Sequence, residues 1–305
     1  MIVAAIDLGT NTTRLLVAEA EDGALRELHR ETRITRLGEG VDERRRLLPV
    51  PVARVRNALS DYRRIAESLD AERVLLVATS AVRDAENGEA FLGEIEWSYS
   101  FATRLLSGDE EAAMTRSGVG ATEPGTLLLD IGGGSTELVL DELHASLDVG
   151  SVRHTERFLR SDPPAAEELE ACAAAVREAL PELEPASAVG VAGTVTSLAA
   201  LDLGLDAYDR ERVHDHRLTL DGARAQLERL AALPLAERRE LPALEPERAP
   251  VIVAGAVILV EALARYGLDA IRISEHDILD GAALAAAELP APAEGDAPPG
   301  AYTCC

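Results

Sequence analysis

Two segments of the chain repeat one pattern of apolar and polar positions. In each segment an apolar run leads to an aspartate, a short polar stretch with glycine follows, and a second apolar run completes the pattern. The segments are DLGTNTTRLLV, from Asp7, and DIGGGSTELVL, from Asp130, and they align without gaps. Apolar runs on both sides of a turn are typical of two paired strands. We therefore predict a β-hairpin at each segment and, because the pattern occurs twice, two similar lobes.

Strand-like runs alternate with helical patterns around these hairpins. Strands are predicted at 2–7, 14–20 and 73–80, with 24–36 as a further strand or hairpin, and apolar residues recur at helical spacing over 51–71. A second cycle of the same kind begins near Gly125. Such alternation predicts an α/β fold.

The glycines of the second hairpin do not match a dinucleotide-binding fingerprint. That fingerprint needs a glycine three positions after Gly134 and then a helix, whereas Glu137 stands there and ELVL continues as a strand. A glycine-rich hairpin turn instead exposes consecutive backbone N–H groups, which form a concave site for oxyanions. We interpret this turn as a phosphate-binding element with acidic residues on its flanking strands.

The cationic residues limit the ways in which the chain can bind phosphate or catalyse a reaction. All 30 are arginine and the chain contains no lysine, which excludes a P-loop lysine and Schiff-base catalysis. A phosphate group must then be held by arginine, backbone N–H groups, helix N-termini or a metal. The net charge of −24 argues against DNA as a partner. Residues 1–120 have 16 arginines against 21 acidic residues, which leaves room for a local positive site.

Other features of the chain add little chemistry. The apolar runs are interrupted or too short to cross a bilayer, and the N-terminus lacks a secretory pattern, so we expect a cytoplasmic protein without a membrane partner. Cys172, Cys304 and Cys305 do not have the spacing of a disulfide framework or a zinc site. Cys172 is predicted to be a buried helix residue, and the tail at 289–305 is predicted to be disordered.

Five blocks of the sequence resemble the exopolyphosphatase and guanosine pentaphosphate phosphohydrolase (Ppx/GppA) family. They are DLGTNTTRLL, TSAVRDAEN, LLSGDEEAAM, DIGGGSTELV and VAGTVTSLAAL, in the family's order and approximate spacing over residues 1–288. The resemblance implies an α/β, actin-like (ASKHA, ribonuclease-H-like) duplicated two-lobe fold with the active site in the interdomain cleft. We expect a first lobe at 1–119, onto which a helix near 277–288 packs back, and a second lobe at 120–288, as in the short two-domain members.

The resemblance also implies a catalytic base and a phosphate-binding arginine. In SGDEEA the position that matches the family's water-activating carboxylate is Glu111, with Glu110 as the runner-up. Spacing alone would make both residues part of the acidic first turn of a helix. Arg83 matches a family arginine directed at substrate phosphate, a role that suits its planar pair of donors. The alternative for this arginine is an ion pair with Asp84 or Glu86.

Three carboxylates are candidates for a metal site. Asp7 and Asp130 end equivalent strands of the two hairpins, and Glu137 follows the second turn. The family implies Mg²⁺, with Mn²⁺ as an alternative, and Mg²⁺ takes one or two carboxylates while it bridges substrate phosphates. Asp130 is the first choice as a ligand and Glu137 the second. The alternative for either aspartate is a side-chain hydrogen bond that stabilises its turn.

Three turns are candidates for phosphate binding through their backbone N–H groups. The residues are Gly9, Thr10, Asn11 and Thr12 in the first hairpin, Gly132, Gly133, Gly134 and Ser135 in the second, and Gly193 and Thr194 in VAGTVTSLAAL. The third turn is predicted to open a helix, where N–H groups and the helix dipole favour an anion. Its alternative is a plain helix cap.

One stretch departs from the family pattern. The family has Arg-Ala-Asp before an apolar helix, whereas this chain has Arg248-Ala249-Pro250. Proline is well tolerated in the first turn of a helix, and we expect Pro250 to lie there. The missing carboxylate removes an interaction that relatives make at this position.

The leading hypothesis is a Mg²⁺-dependent exopolyphosphatase that removes the terminal phosphate of inorganic polyphosphate with water activated by Glu111. One alternative is a pppGpp 5′-phosphohydrolase that uses the same site. The others are a sensor that binds guanosine penta- or tetraphosphate without turnover and a sugar-kinase-like phosphotransferase. The sequence is compatible with a homodimer.

Overall fold

The computed structural model describes residues 1–290, which form two compact units. The first consists of Met1–Gly120 together with the C-terminal residues from Ile278, and the second is Ala121–Asp277. Most of the tail predicted to be disordered, with Cys304 and Cys305, lies outside the described residues. None of the helices in residues 1–290 is long and apolar enough to cross a membrane.

The first unit is built on a mixed sheet with the strand order β3-β2-β1-β4-β5. Its elements are β1 (Ile2–Leu8), β2 (Thr12–Glu21), β3 (Ala24–Ile34), α1 (Val41–Arg44), α2 (Pro49–Ser68), β4 (Arg73–Ala78), α3 (Ser80–Arg83), α4 (Gly88–Tyr99), β5 (Ala102–Leu105) and α5 (Gly108–Val119). The three N-terminal strands are antiparallel, and β1, β4 and β5 are parallel. The strands and the helix predicted here are confirmed, although β4 ends at Ala78 and the chain enters a helix two residues later.

The second unit repeats this topology with one added edge strand, in the order β10-β11-β9-β6-β7-β8. Its elements are β6 (Thr126–Ile131), β7 (Thr136–Leu140), β8 (Leu143–Leu147), α6 (Ser151–Phe158), α7 (Ala166–Ala179), β9 (Ser187–Val191), α8 (Ala192–Asp202), α9 (Arg210–Val213), β10 (Arg217–Thr219), α10 (Leu220–Ala232), α11 (Leu235–Arg238), α12 (Ile252–Arg265) and β11 (Ala270–Ile273). Again three strands form an antiparallel meander, and β6, β9 and β11 are parallel.

The two predicted hairpins are confirmed and are equivalent in register. The β1–β2 pair sets Asp7 opposite Arg14, and the β6–β7 pair sets Asp130 opposite Glu137. Their turns close with the same backbone hydrogen bond: N–H of the residue two after the aspartate donates to the carbonyl three residues further on. The N···O distances are 2.9 Å in the first turn and 3.0 Å in the second. The sequence repeat therefore extends to the hydrogen bonds of the backbone.

The last described helix, α13 (Ile278–Ala287), belongs to the first unit. It packs on one face of the first sheet, where Leu279 and Ala283 join a fully buried cluster with Val3 and Leu75. Gly281 is required at its contact with α5, because a Cβ there would lie 2.0 Å from the carbonyl oxygen of Met114. The first unit is thus assembled from both ends of the described chain.

The core of the second unit surrounds α12, which is buried on nearly every side. Cys172 in α7 belongs to this core, and burial raises the pKa of its thiol to about 12. Its predicted role as a buried helix residue is confirmed. The prediction for Pro250 is wrong, because α12 begins at Ile252 and Pro250 precedes its N-cap, Val251. A turn closed by the Val251 N–H and the Arg248 carbonyl, 3.0 Å apart, occupies this stretch.

Candidate functional site

The first hairpin turn is held from one side by the segment that follows β3. The N–H of Gly38 donates to the Thr10 carbonyl at 2.8 Å, and the N–H of Arg36 donates to the Asn11 carbonyl at 2.9 Å. In a planar trans peptide the carbonyl and the next N–H point in opposite directions. The N–H of Asn11 is therefore turned away from the residues that hold the turn, in a direction suited to an external acceptor.

Two side chains of the first turn are buried and polar. Thr10 and Ser80 share a hydrogen bond between their hydroxyl oxygens at 2.8 Å, which ties the turn to the first residue of α3. Asn11 is buried, and its Oδ1 has no hydrogen-bond partner within residues 1–290. A buried polar atom without a partner raises the free energy of the fold, and because Oδ1 is an acceptor, only a hydrogen-bond donor such as a water molecule would satisfy it.

The second hairpin turn is held in the same manner by α6. The carbonyl of Gly132 accepts from the N–H of Ser151 at 3.0 Å, and that of Gly133 accepts from the N–H of Val152 at 2.8 Å. The carbonyl of Gly134 accepts from the side chain of Arg153. All three glycine carbonyls thus face α6.

The orientation of these carbonyls fixes the orientation of the amides that follow. The N–H groups of Gly133, Gly134 and Ser135 are turned to the side opposite α6, because each lies in a trans peptide whose carbonyl is held. Gly150 permits the close approach of α6, since a Cβ there would lie 2.4 Å from the carbonyl oxygen of Gly133. Three consecutive amides on one side form a concave site for an oxyanion.

Beside this turn two carboxylates face each other across the hairpin. Asp130 and Glu137 are directly opposite in register, and both are buried. Opposed residues in an antiparallel pair have Cβ atoms roughly 4.5–5.5 Å apart. Ser146, on the neighbouring strand β8, donates its hydroxyl to Glu137 Oε1 at 2.9 Å. Two carboxylates this close favour a cation nearby.

These residues fit the metal implied by the sequence. Mg²⁺ is usually bound by one or two carboxylates, several waters and substrate phosphates, which matches a pair of acidic residues next to an anion-binding turn. Within residues 1–290 no group of three or more acidic, histidine or cysteine side chains is placed to hold a metal without such help. Asp130 and Glu137 are directly opposite in register, so a metal bound by this pair would need water or substrate oxygens as its other ligands.

Asp7, the third metal candidate, has a different environment. Arg14 lies opposite it and donates to Asp7 Oδ2 from Nε at 2.9 Å and from Nη2 at 2.7 Å. Both side chains are largely buried. The carboxylate that the sequence treats as the equivalent of Asp130 is therefore part of an arginine ion pair.

Glu111 and Arg83, predicted separately as base and phosphate ligand, are in contact. Arg83 Nη1 lies 3.1 Å from Glu111 Oε2 and donates to the carbonyl of Leu106 at 2.7 Å. Glu111 is buried in the first turn of α5. This charge-assisted hydrogen bond fixes the direction of the Glu111 carboxylate and keeps a cation beside it.

Glu110, the runner-up for the base, has a structural role at the start of α5. The backbone N–H of Ser107 donates to Glu110 Oε2 at 2.8 Å and its hydroxyl at 2.7 Å, while the Glu110 N–H donates to the Ser107 hydroxyl. This is a capping box. The hydrogen bond from the Ser107 backbone holds the pKa of Glu110 below its usual value. The carboxylate of Glu110 is thus engaged in capping α5.

The third turn opens α8, as predicted, and an arginine lies against it. A Cβ on Gly193 would be 2.1 Å from Arg248 Nη1, so only glycine allows this approach. Arg248 is held by Glu245, with 2.8 Å between Nη2 and Oε2. Thr194 is buried against Gly255 in α12. Arg248 stood out in the sequence only as part of a departure from the family, and the spacing gave no signal of this contact.

Two further residues near the hairpin turns were not among the candidates predicted from the sequence. Arg14 could have been found by comparing the two repeats, because the position seven after the aspartate is arginine in one and glutamate in the other. Arg153 follows β8 and has no counterpart in either repeat. Its contact with the glycine turn depends on tertiary structure that no local pattern encodes.

Comparison with known proteins identifies the family. The model of the Ppx/GppA phosphatase family matches residues 16–286. This chain belongs to the Ppx/GppA phosphatase family. The resemblance inferred from five sequence blocks is thereby confirmed, and so is the enzyme class, a phosphoanhydride hydrolase. The Ppx/GppA family is generally metal-dependent.

Relatives and solved structures cover nearly the whole chain. Exopolyphosphatase 2 of Mycobacterium tuberculosis is 41% identical over 317 residues, which cover 93% of this chain and 98% of the relative. The guanosine-5′-triphosphate,3′-diphosphate pyrophosphatase of Vibrio vulnificus is 30% identical over 301 residues, covering 92% of this chain and 58% of the relative. The crystal structure of the Aquifex aeolicus Ppx/GppA family member has a TM-score of 0.77 at 29% identity and covers 93% of this chain and 97% of that chain. The predicted actin-like fold is confirmed.

Proposed function

We propose that this protein is a Mg²⁺-dependent exopolyphosphatase that hydrolyses the terminal phosphoanhydride bond of inorganic polyphosphate. The observation that carries the proposal is the second hairpin, in which a buried pair of carboxylates adjoins a turn with three amides on one side. A single short element thus offers donors for both a metal ion and a phosphoryl group. The similarity to a mycobacterial exopolyphosphatase over nearly the full length supports the same substrate.

The glycine turns would bind phosphoryl oxygens through backbone N–H groups. Amides of Gly133, Gly134 and Ser135 suit one phosphate group, and the turn from Gly9 to Thr12 suits another. Fixed N–H groups stabilise charge that develops on phosphoryl oxygens without reorganising during the reaction. A chain without lysine relies on such groups and on arginine.

Asp130 and Glu137 would hold the metal ion. A bound Mg²⁺ supplies compensation for the negative charge of the transferred phosphoryl group and its neighbour. The Ser146 hydroxyl orients Glu137 by its hydrogen bond to Oε1. Asp7, which is paired with Arg14, is assigned to stabilising the first turn rather than to the metal.

Glu111 would accept the proton of the attacking water. Arg83 has two roles in this proposal, since its Nη1 contacts Glu111 and its guanidinium has further donors for a phosphoryl oxygen. The contact fixes the carboxylate before substrate arrives, and a positioned base contributes roughly 10²–10⁴-fold to a hydrolysis rate.

A second candidate substrate is pppGpp, whose terminal phosphoanhydride is chemically equivalent. The similarity to a Vibrio guanosine pentaphosphate pyrophosphatase favours it, although this chain covers only 58% of that protein. The sensor alternative is less well supported, because a sensor needs neither the oriented Glu111 nor the acidic pair. The phosphotransferase alternative is less well supported because the chain belongs to a phosphatase family. Cytoplasmic location, the absence of DNA and membrane partners and a homodimer stay predictions.

The decisive experiment measures phosphate release from long-chain polyphosphate and from pppGpp with Mg²⁺, with Mn²⁺ and with EDTA. Glu111→Gln removes the base and preserves the size of the side chain, so we expect metal-dependent release to fall about a hundredfold or more.

Glu110→Gln is the matched control, because the neighbouring carboxylate only caps α5. We expect its turnover to stay close to that of the unmodified protein. Full activity in Glu111→Gln would refute the assignment of the base. If neither substrate is turned over by the unmodified protein while both still bind, the result favours the sensor alternative.

A further inference from the structure

The carbonyl of Gly134 is held by a side chain rather than by the backbone. Arg153 donates from Nε to this oxygen at 2.7 Å. The arginine side chain is only 6% exposed, so this contact occurs in an environment largely shielded from water. A charge-assisted hydrogen bond of this kind is roughly twice as strong as one between neutral groups.

In the first unit a backbone amide makes the equivalent hydrogen bond. Asn11 is the fourth residue after Asp7, as Gly134 is the fourth after Asp130, and its carbonyl accepts from the N–H of Arg36 at 2.9 Å. The hydrogen bond to this carbonyl thus comes from a guanidinium in the second turn and from a backbone N–H in the first. In both units the donor comes from the segment that follows the third strand of the meander.

This difference matters because the second turn consists of glycine. Three consecutive glycines have no side chains to restrict their backbone dihedrals, so each peptide plane is oriented only by its hydrogen bonds. Holding the Gly134 carbonyl fixes the direction of the Ser135 N–H in the same peptide plane. The arginine stays protonated at every physiological pH, which makes it a constant donor.

We propose that Arg153 is a positioning residue that orients the Gly134–Ser135 peptide of the phosphate-binding turn. In this role it acts through the Gly134 carbonyl. The proposal rests on the proposed function for its catalytic consequence, while the orientation of the peptide follows from the structure alone. Asp148, which lies 3.5 Å from Arg153 Nη2 and is mostly exposed, helps to keep the side chain extended.

The first test compares turnover of polyphosphate by three variants. Arg153→Met removes the donor but retains the length and the apolar stem, and we expect kcat to fall roughly ten- to hundredfold, as is typical when a partner that orients a site residue is removed. We expect KM to change less than kcat, because a misaligned amide loses most in the transition state. Arg153→Lys keeps a cationic donor and should recover part of kcat.

Arg157→Met is the matched control, since this exposed arginine lies one turn later on the same helix. Its kcat should be unchanged. Equal kcat values for Arg153→Met and the unmodified protein would overturn the proposal. An equal loss in the Lys and Met variants would also overturn it, because the donor would then not be what matters.

The second test does not depend on activity. Hydrogen exchange of the peptide that contains residues 131–136 is measured without substrate in the same variants. We expect the Gly132 N–H, which donates to the Ser135 carbonyl, to exchange faster in Arg153→Met, whereas amides in β1 should be unaffected. Unchanged exchange in the turn would refute the orienting contact.

The two tests separate the proposals. If the unmodified protein does not hydrolyse polyphosphate but exchange still rises in Arg153→Met, the proposed function fails and the orienting contact stands. If polyphosphate is hydrolysed and exchange rises while kcat does not fall, the positioning role is wrong and the proposed function is unaffected.

Discussion

The two hairpins share one backbone and differ in charge. Both have the same register and the same closing hydrogen bond. In both, carbonyls of the turn accept hydrogen bonds from the segment that follows the third strand. The residue opposite the aspartate is Arg14 in the first and Glu137 in the second. The first hairpin therefore contains a neutral ion pair, and the second contains two carboxylates where the first has one.

From this difference we propose separate roles for the two hairpins. A buried carboxylate beside a guanidinium is compensated within the protein, so the first hairpin is complete as a structural element. Two facing carboxylates repel each other, and in the proposed function a bound metal ion would lower this repulsion. In the proposed function, the charge at this single position would distinguish a hairpin that supports the fold from one that binds a metal.

The largest effect is expected when the second hairpin is given the charge pattern of the first. Glu137→Arg sets a guanidinium opposite Asp130, and we expect it to abolish the response to Mg²⁺. The loss of several kcal/mol of metal stabilisation corresponds to a fall in turnover on the order of a hundred- to a thousandfold. Phosphate release and its Mg²⁺ dependence are the measurements. Glu142→Arg, an exposed change beyond the same hairpin, is the control, and normal metal-dependent turnover in Glu137→Arg would contradict the division of roles.

The reverse change tests the first hairpin through its stability. Arg14→Glu sets a second carboxylate opposite Asp7, and we expect the free energy of unfolding to fall by about 3–5 kcal/mol, because the buried partner loses its compensating charge. Urea unfolding measures this. Arg26→Glu disrupts the exposed pair with Glu19 on the same meander and should cost less than about 1 kcal/mol. Similar losses in both variants would show that the Asp7–Arg14 pair has no special role.

A smaller effect should distinguish the supports behind the two turns. In Gly150→Ala the new Cβ would meet backbone atoms of Gly133 and Gly134 at 2.4–2.5 Å, and we expect a loss of about 1–3 kcal/mol in unfolding free energy. In Gly38→Ala the nearest atom is the Thr10 methyl carbon, a side-chain atom, so the loss should be smaller. Gly93→Ala, within α4 and with open space around it, should be stabilising. A larger loss in Gly38→Ala than in Gly150→Ala would reverse this ranking.

The sequence predicts the fold and the location of the turns well. Hairpins leave a strong signal, because apolar runs, the aspartate and the glycine turn repeat in order, and the apolar periodicity of α2 is regular. The first residue of α12 was harder to predict from the sequence, since proline is compatible with positions both inside and just before a helix. In the structure Pro250 lies outside α12, because consecutive turns occupy the stretch before Ile252.

The chemistry of the site is only partly encoded in local sequence. Glu111 and Arg83 were found as separate candidates, but their contact joins α3 to the first turn of α5, which spacing does not reveal. Asp7 was grouped with Asp130 because the strands are equivalent, whereas cross-strand register decides what lies opposite each residue. Arg153 could not be found, because its partner is a backbone carbonyl 19 residues away.

The position of α13 has a consequence for how the protein is made. Its apolar residues cover a face of the first sheet that includes Val3 and Leu75, which are synthesised first, while α13 is among the last described segments to leave the ribosome. The second unit is continuous in the chain, so the face of the first sheet that α13 covers stays exposed until the whole second unit and α13 have been synthesised. We therefore expect the N-terminal unit of the nascent chain to expose this apolar face until α13 packs on it.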